Sequence, residues 1–386
     1  MQESKTRKYD FMIVGAGFAG ATCARLLKDK GYSVIILEER PFVGGNCATD
    51  IQFDIQLHIF DAHVLHTNNL DVWNFLGKYD NLIPFNYTEY IIDNDKRYTF
   101  SDDINMCMEV YGDHRPYEIE ADLINDGFLE DDNFSTLKEY LIYKYGSTIY
   151  EKIYKKYYER NFNEDPENLI PPVHQRTDNF LMLNDIRFYK EIYQGIPENG
   201  YTYLIEQMIG EDIPVMLNKN FLEKPKTYSA IAHNVIYTGE IDRLYKYCIG
   251  KLNWTTTTFT ILDECQITNN NMGVPVTNFI DNTKHHRLIE HKWLTPWKHG
   301  KSEEYDKHTI VSYKYYKPWD IGEETMDLIR DKRSIGLYNR YLELMKKDYP
   351  NMLLCGKRAE YRNYSIAETI ESAFKLCEQF KNKNEK

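Results

Sequence analysis

A glycine-rich turn between an apolar strand and a helix is the feature that most constrains this chain. Residues 9–14 form a short apolar run, followed by GAGFAG at residues 15–20. The spacing of apolar residues predicts a helix over 21–28, and a β-branched run predicts a second strand over 33–37 that ends at Glu38. Strand, turn, helix and strand in this order predict a parallel α/β unit that binds a dinucleotide.

Each glycine of the turn has its own physical reason. Gly15 permits the tight turn, Gly17 lets the backbone approach a pyrophosphate, and Gly20 lets the helix pack closely on the strand. The helix N-terminus then offers unpaired N–H groups to an anion. Glu38 is placed to accept hydrogen bonds from a ribose 2′-hydroxyl, and its charge would repel a 2′-phosphate.

The segments around this unit favour FAD over NAD. Arg40 and the pair Gly44-Gly45 follow the acidic strand end and resemble the loop with which flavoproteins embrace an extended FAD. Residues 356–365 lead into a helix whose start approaches the flavin in such proteins, and a helix N-terminus stabilises negative charge on a reduced flavin. We therefore expect FAD as the cofactor.

Composition excludes several classes of protein. The 386 residues are 42% hydrophobic, which is enough for a sizeable core, and the net charge of −12 argues against a nucleic-acid-binding surface. No apolar run is long enough to span a membrane, and the N-terminus has no leader-like apolar segment, so we expect a cytoplasmic protein. The seven cysteines form no CxxC pair, so neither a metal site nor a disulfide framework is indicated.

The rest of the chain divides into segments of different composition and residue spacing. Residues 102–185 are charged and tyrosine-rich with helical spacing, residues 251–316 have the β-branched and aromatic character of strands, and Ser365 with Glu368 has the form of a helix-start capping box before 366–380. Four tyrosines share one helix face at positions 150, 154, 157 and 158. Such a face is most often a packing surface, although the hydroxyls also suit the wall of a sugar or base site.

Seven segments resemble the bacterial UDP-galactopyranose mutases, in the order of that family. They are VGAGFAGATCARLL, LEERPFVGGN, DIQLHIFDAHVLHTN, YQGIPENGYTYLIEQM, VIYTGEIDRLYKY, NFIDNTKHHRLIEHK and CGKRAEYRNYS. The resemblance implies an α/β fold in which a Rossmann-like FAD-binding domain carries an inserted helical domain and a six-stranded antiparallel sheet domain, assembled as a homodimer. By this resemblance the FAD domain comprises 1–75, 193–245 and 350–386, the helical domain 102–190, and the sheet domain 76–101 and 246–349.

The resemblance also implies the chemistry. In the family, reduced flavin acts as a nucleophile through N5 and forms a covalent adduct with the sugar, so that the pyranose and furanose forms of a UDP-sugar interconvert without net redox change. A UDP-sugar, UDP-galactose or a relative, is therefore the expected small-molecule partner.

Family positions can be transferred to this sequence residue by residue. The catalytic positions are His63, Arg287 and Lys357. The cofactor-binding positions are Gly15, Gly17, Phe18, Gly20, Glu38, Glu39, Arg40, Gly45, Asn46, His63, Gly356, Ser365 and Ile366. The substrate-binding positions are Asn86, Tyr157, Phe162, Arg187, Phe188, Tyr193, Asn278, Arg287, Lys357 and Tyr361.

Several substrate positions depart from the family pattern. Phe162 stands for a tryptophan, Phe188 for a tyrosine and Lys357 for an arginine that grips the diphosphate, and lysine cannot make the bidentate fork. Asn363 and Ser365 also differ from the family's tyrosine and aspartate, a mobile-loop arginine is lost near Leu181, and a Tyr-Tyr-Pro is missing around 325–328. We expect a cationic clamp to be rebuilt from Arg160, Arg176, Arg187 and Lys357.

These departures leave alternatives open. The first interpretation is a mutase that acts on UDP-galactose or an altered nucleotide sugar. The next is a catalytically altered or non-enzymatic homologue that binds FAD or a nucleotide sugar. The last is an FAD oxidoreductase of the amine-oxidase type, which shares the cofactor domain but lacks the YQGIP and R.IEHK motifs.

Overall fold

A computed structural model describes residues 8–101, 103–112, 121, 134–171, 185–263 and 273–383 of the chain. The strands within these residues are β1 Tyr9–Val14, β2 Val34–Leu37, β3 Thr49–Gln52, β4 Ile55–His58, β5 Leu65–Thr67, β6 Leu82–Pro84, β7 Glu89–Asp93, β8 Lys96–Thr99, β9 Tyr193–Pro197, β10 Val215–Met216, β11 Ala232–Tyr237, β12 Thr255–Asp263, β13 Val276–Phe279, β14 Arg287–Glu290, β15 Ile310–Pro318 and β16 Met352–Leu354.

Helices lie between these strands and at the end of the chain. The α-helices of the described residues are α1 Phe18–Asp29, α2 Leu70–Leu76, α3 Ile104–Tyr111, α4 Leu137–Ile149, α5 Lys155–Phe162, α6 Tyr201–Ile209, α7 Pro225–Ser229, α8 Ile241–Leu244, α9 Glu303–Lys307, α10 Lys332–Asp348 and α11 Ile366–Glu378. No helix in the described ranges is both long enough and apolar enough to cross a membrane.

A parallel sheet forms the first layer, and it confirms the predicted Rossmann-like unit. Its strands run in the order β10-β2-β1-β11-β16, and every neighbouring pair is parallel. All four residues of β2 are buried, as the continuous apolar run predicts for a strand covered on both faces. Helix α1 packs on one face together with α6 and α11. Because the strands are parallel, the carboxyl ends of β1, β2, β11 and β16 lie at one edge. Ligands of parallel α/β sheets bind at this edge.

A second sheet has the six strands that the sequence predicted. Among the described residues its order is β12-β15-β14-β13-β7-β8. The prediction of a purely antiparallel sheet needs one correction, because β13 pairs with β7 in parallel while the other neighbours are antiparallel. Strands β7 and β13 are far apart in the chain and no hairpin joins them, so nothing imposes an antiparallel direction on this pair.

Helices α3, α4 and α5 form one hydrophobic cluster with residues of β7 and β8, and α5 also contacts β15. Their core is rich in tyrosine and includes the buried Tyr150 and Tyr154. A single π-helical turn over Tyr150–Tyr154 separates α4 from α5 and rotates the face of the helix that follows. At the other end of the chain, Ser365 and Glu368 form the predicted capping box, which starts α11 beside the ligand edge of the parallel sheet.

Candidate active site

A cavity of about 320 Å³ lies at the carboxyl edge of the parallel sheet. This volume is at the lower end of the range typical of ligand pockets. Twelve of the thirteen predicted cofactor positions line it, namely Gly15, Gly17, Phe18, Glu38, Glu39, Arg40, Gly45, Asn46, His63, Gly356, Ser365 and Ile366. The structure therefore brings residues from both ends of the chain into one cradle, which we call the dinucleotide cavity.

The glycines of this cavity make close backbone contacts that a side chain would block. Gly17 and Gly45 meet face to face, since a Cβ added to Gly45 would lie 3.1 Å from the Gly17 Cα. Gly15 has a φ of 102°, a conformation that favours glycine. Gly20 lies outside the cavity lining, but a Cβ there would lie 2.0 Å from the Gly15 carbonyl oxygen. Its role is the close packing of α1 on β1 that the sequence predicted.

Glu38 organises the turn that surrounds the cavity. Its carboxylate accepts hydrogen bonds from the backbone N–H of Ala16 at 2.7 Å and of Arg40 at 2.8 Å. Two carboxylate oxygens offer about four lone pairs, so capacity remains for a ligand hydroxyl. The neighbouring charges are paired: Glu39 accepts two hydrogen bonds from Arg243, both at 2.9 Å, and Arg40 contacts Glu324 at 2.7 Å.

The closing end of the cavity comes from the segment between β16 and α11. Gly356 has a φ of 91°, and a Cβ there would lie 2.6 Å from the Cβ of Ala19. This close approach fixes the C-terminal segment against the first turn of α1. Lys357 projects its ammonium to Asp327 at 2.9 Å, so its charge is partly compensated within the cavity wall.

A second cavity of about 520 Å³ adjoins the first. Both cavities are lined by the same five residues at their junction, Asp61, Ala62, Tyr189, Asp327 and Tyr364. We call this second space the aromatic cavity, because Tyr157, Tyr158, Phe162 and Phe188 line it. The rings of Tyr158 and Phe162 stack with centroids 5.3 Å apart. A flat apolar wall of this kind can hold a base or a sugar face.

The tyrosine stripe predicted for one helix face is thus divided in two. Tyr150 and Tyr154 are core residues, while Tyr157 and Tyr158 reach the aromatic cavity. The π-helical turn that contains the first pair adds an extra residue to the helix and so changes the face that follows. The packing interpretation holds for Tyr150 and Tyr154, and the ligand-wall interpretation of Tyr157 and Tyr158 stays a prediction.

Arg287 anchors a buried charge cluster beside the junction. Its guanidinium donates to Glu89 at 2.9 Å and to the Tyr87 hydroxyl at 3.1 Å, and its Nε lies 3.5 Å from Asp61. Burial alone would lower the pKa of Arg287, but Asp61 and Glu89 outweigh it and hold the pKa well above its usual range. Asn278 does not reach either cavity, and its amide donates to Glu89 at 2.7 Å.

His63 lies at the dinucleotide-cavity side of the junction. Its Nδ1 is 2.7 Å from the carbonyl oxygen of Asp61, and a carbonyl only accepts, so Nδ1 carries the proton. Burial lowers the pKa of His63, and the nearby Asp61 opposes this shift without cancelling it. The side chain is therefore neutral at pH 7, with Nε2 as a hydrogen-bond acceptor.

The cations around the aromatic cavity differ from the predicted clamp. Arg160 donates to the carbonyl oxygens of Thr283 and His285, and Arg187 forms a two-point pair with Asp185, so neither lines a cavity. Arg176 lies outside the described residues, as does Leu181.

Two arginines outside the predicted site line the aromatic cavity instead, Arg330 and Arg362. The Nε of Arg330 is buried and has no hydrogen-bond partner within the described part of the chain. Burial first, and then repulsion from Arg362, lower the pKa of Arg330. The tertiary fold alone brings the two together, because Arg330 follows the segment after β15 and Arg362 follows β16.

Three further predicted substrate residues lie away from both cavities. Asn86 is exposed, and Tyr193 stacks on Trp73 with ring centroids 5.6 Å apart. Tyr361 is buried and its hydroxyl donates to the carbonyl oxygen of Ile329 at 2.7 Å. The structure thus gives Tyr361 a packing position at the back of the closing segment.

Comparison with known proteins agrees with this geometry. A model of the UDP-galactopyranose mutase family matches residues 152–363, and a model of NAD(P)-binding Rossmann-like domains matches residues 13–79. The chain is 28% identical to a probable UDP-galactopyranose mutase of Klebsiella pneumoniae, over 96% of this chain and 94% of that protein. It is also 28% identical to a dTDP-fucopyranose mutase of Escherichia coli, over 97% and 99% of the two chains.

Solved structures show the same fold. A reduced UDP-galactopyranose mutase superposes with a TM-score of 0.67 at 11% identity, over 96% of this chain and 93% of that one. The parallel sheet and its glycine cradle define a dinucleotide-binding protein of the Rossmann-like class. Since the matching family model covers more than half of the 386 residues, the chain belongs to the UDP-galactopyranose mutase family, which places it among the isomerases.

Proposed function

We propose that this protein binds FAD in the dinucleotide cavity and interconverts the pyranose and furanose forms of a nucleotide sugar held in the aromatic cavity. One observation carries the proposal: the five junction residues line both cavities, so a cofactor bound in one would be adjacent to a ligand bound in the other. In the reduced state, FAD would supply a nucleophilic N5 nitrogen for covalent catalysis at the anomeric carbon.

The residues of the dinucleotide cavity fit FAD. The Gly17–Gly45 contact leaves backbone at the surface where a pyrophosphate would approach the N-terminus of α1. Glu38 keeps lone pairs for a ribose hydroxyl, and the N-terminus of α11 would stabilise negative charge on a reduced ring.

The residues of the aromatic cavity fit a nucleoside diphosphate sugar. Tyr157, Tyr158 and Phe162 offer an aromatic wall for the base, and Arg330 with Arg362 offers the positive charge that a diphosphate requires. The Arg330 Nε, which is buried without a partner among the described residues, would gain an acceptor from this ligand. A nucleoside diphosphate that is released from the sugar would stay bound beside it, so its re-attachment to the sugar would not require a new encounter from solution.

The direct test is turnover by the reduced protein. Purified protein is reduced with dithionite and incubated with UDP-galactofuranose, and the pyranose form is followed by HPLC. We expect conversion with reduced protein and none with the oxidised control. A protein that stays colourless and refuses added FAD would overturn the proposal.

The same experiment separates the alternatives. UDP binding without conversion of any nucleotide sugar, despite bound reduced FAD, would identify a non-enzymatic or catalytically altered homologue. Substrate-driven bleaching followed by oxygen consumption would identify an oxidase.

A second nucleotide is included because one full-length relative is named a dTDP-fucopyranose mutase. Parallel incubations with UDP-galactopyranose and dTDP-fucopyranose at equal concentration, analysed for the furanose products, rank the two substrates by kcat/KM.

A further inference from the structure

We propose that Asp61 is the carboxylate that binds a sugar hydroxyl at the junction of the two cavities, and that Lys314 is its positioning residue. This inference rests on the proposed function; it assigns a substrate contact to Asp61 and a positioning role to Lys314, neither of which is among the predicted site residues.

The first observation is an arrangement of like charges that requires a carboxylate between them. Arg287 on β14 and Lys314 on β15 are directly opposite each other in the antiparallel register. Like charges in that position repel and destabilise a sheet. Asp61 contacts both, with Oδ1 toward Arg287 at 3.5 Å and Oδ2 bonded to the Lys314 ammonium. The three side chains therefore form one unit with fixed geometry.

The second observation is the burial of Lys314. Its side chain is completely inaccessible to solvent, and its ammonium donates to Asp61 and to the Tyr316 hydroxyl at 3.1 Å. Burial lowers the pKa of Lys314, and the carboxylate of Asp61 only partly offsets this. A buried ion pair contributes little net stability compared with apolar residues of similar volume. A role in fixing Asp61 gives a reason for the pair that stability alone does not.

The third observation is the hydrogen-bonding capacity of the two carboxylates in the cluster. Glu89 accepts from the Tyr87 hydroxyl, Arg287 and Asn278, so both of its oxygens are engaged. Asp61 accepts from Lys314 and from the backbone N–H of Ala62 at 2.8 Å, which leaves lone pairs free on a side chain that lines both cavities. Sugar hydroxyls are donors that an ionised carboxylate binds.

The charge environment keeps Asp61 in the form that accepts. Burial alone would raise the pKa of Asp61, but Arg287 and then Lys314 outweigh it and hold the pKa well below its usual range. The other titratable groups of the described residues that face it are His63, His58, His291, Asp327, Tyr189 and Tyr316. The three imidazoles are neutral at pH 7 because burial lowers each pKa, so the two cations determine the charge state of Asp61.

The test compares a ligand that carries a sugar with one that does not. Isothermal titrations measure the Kd of UDP-galactose and of UDP for FAD-loaded wild type, D61N and K314M. A lost hydrogen bond to a charged group corresponds to roughly a tenfold to hundredfold change. We expect D61N to raise the Kd of UDP-galactose at least tenfold and that of UDP less than twofold. D320N is the matched control, since Asp320 forms an exposed pair with Lys251 and should change neither Kd.

The pH dependence isolates the role of Lys314. The sugar contribution, taken as the ratio of the two Kd values, is present while Asp61 is ionised and is lost as the pH falls through its pKa. K314M removes one of the two cations, so we expect that loss at a higher pH than in wild type between pH 4 and 8. A purely structural role for Lys314 would change stability without moving this profile.

The outcomes are distinct. The variant D61N/K314M removes both charges of the Asp61–Lys314 pair, so no unpaired charge is left at these two positions. The Kd comparison is made with this double variant if either single variant fails to fold. One result would overturn this inference alone: wild type binds UDP-galactose, and D61N and the double variant have the same ratio of UDP-galactose Kd to UDP Kd as wild type. Wild type that binds neither UDP nor UDP-galactose overturns both the inference and the proposed function.

Discussion

Gly20 gives the sharpest test of the close packing beneath the dinucleotide cavity. In G20A the new Cβ would lie 2.0 Å from the Gly15 carbonyl oxygen and 3.1 Å from the Ile13 Cγ2. The first neighbour is backbone and cannot rotate away, so α1 must move from β1 by about 1 Å to restore ordinary contact. Overpacking of this kind costs about 1–3 kcal/mol. The displaced helix also carries the N–H groups of the predicted pyrophosphate site.

Gly336 provides a matched control for this substitution. It is an exposed glycine within α10, and a Cβ there would meet nothing within 4 Å. Replacing it with alanine should stabilise the protein by about 0.5–1 kcal/mol, because alanine is the better helix former. The same chemical change in two helices is therefore expected to have opposite signs.

Urea unfolding and FAD titration check the pair. We expect G20A to lower the unfolding midpoint and to weaken FAD binding at least tenfold, whereas G336A should raise the midpoint and leave FAD affinity unchanged. If G20A were as stable as wild type and bound FAD normally, the reasoning from helix–strand distance would be refuted.

The remaining predictions concern the two cavities and one buried acid. E38Q removes one of the charged acceptors of the turn and should weaken FAD binding roughly tenfold to hundredfold in a flavin fluorescence titration, with unchanged affinity for UDP. R330Q and R362Q should each weaken UDP binding at least tenfold by calorimetry, whereas R160Q should not; equal effects would return Arg160 to the clamp. Burial raises the pKa of Asp242 to about 6. Because the folded state then binds the proton more tightly than the unfolded chain, this group favours folding increasingly as the pH falls from 7 to 4, by about 2–3 kcal/mol in total. D242N should remove that part of the pH dependence of urea unfolding, and parallel wild-type and D242N profiles would contradict the assignment.

The parts of the site that sequence could predict are those built from short continuous segments. The glycine turn, Glu38 and the capping box at Ser365 each depend on residues within a few positions of one another, so their geometry follows from local rules. The resemblance to the family then joined these segments correctly into one cavity.

The cationic side of the aromatic cavity could not be predicted in the same way. Arg330 and Arg362 come together only through the tertiary fold, whereas Arg160 in α5 donates to carbonyl groups of a loop. For a long flexible side chain, the available partners decide its direction, and partners across the chain are not visible in a single sequence.

Lys314 carried a weak signal that could have been used. It shares the period-two face of β15 with Ile310 and Ser312, both of which are buried. A lysine on the inward face of a strand requires a charge partner, but the sequence does not say that Asp61, more than two hundred residues earlier, is that partner. The division of the tyrosine stripe had another cause, because a π-helical turn interrupts the 3.6-residue period on which its alignment depends.

The parallel pairing of β7 with β13 affects how this sheet assembles while the chain is being synthesised. About 180 residues lie between the two strands, so at a typical elongation rate the nascent β7–β8 hairpin waits roughly ten to forty seconds for its neighbour. During that interval the inner edge of β7 exposes unpaired main-chain groups, which are a template for intermolecular association. Translation speed through the intervening codons, more than the strength of the finished sheet, then determines how long chaperones must protect that edge.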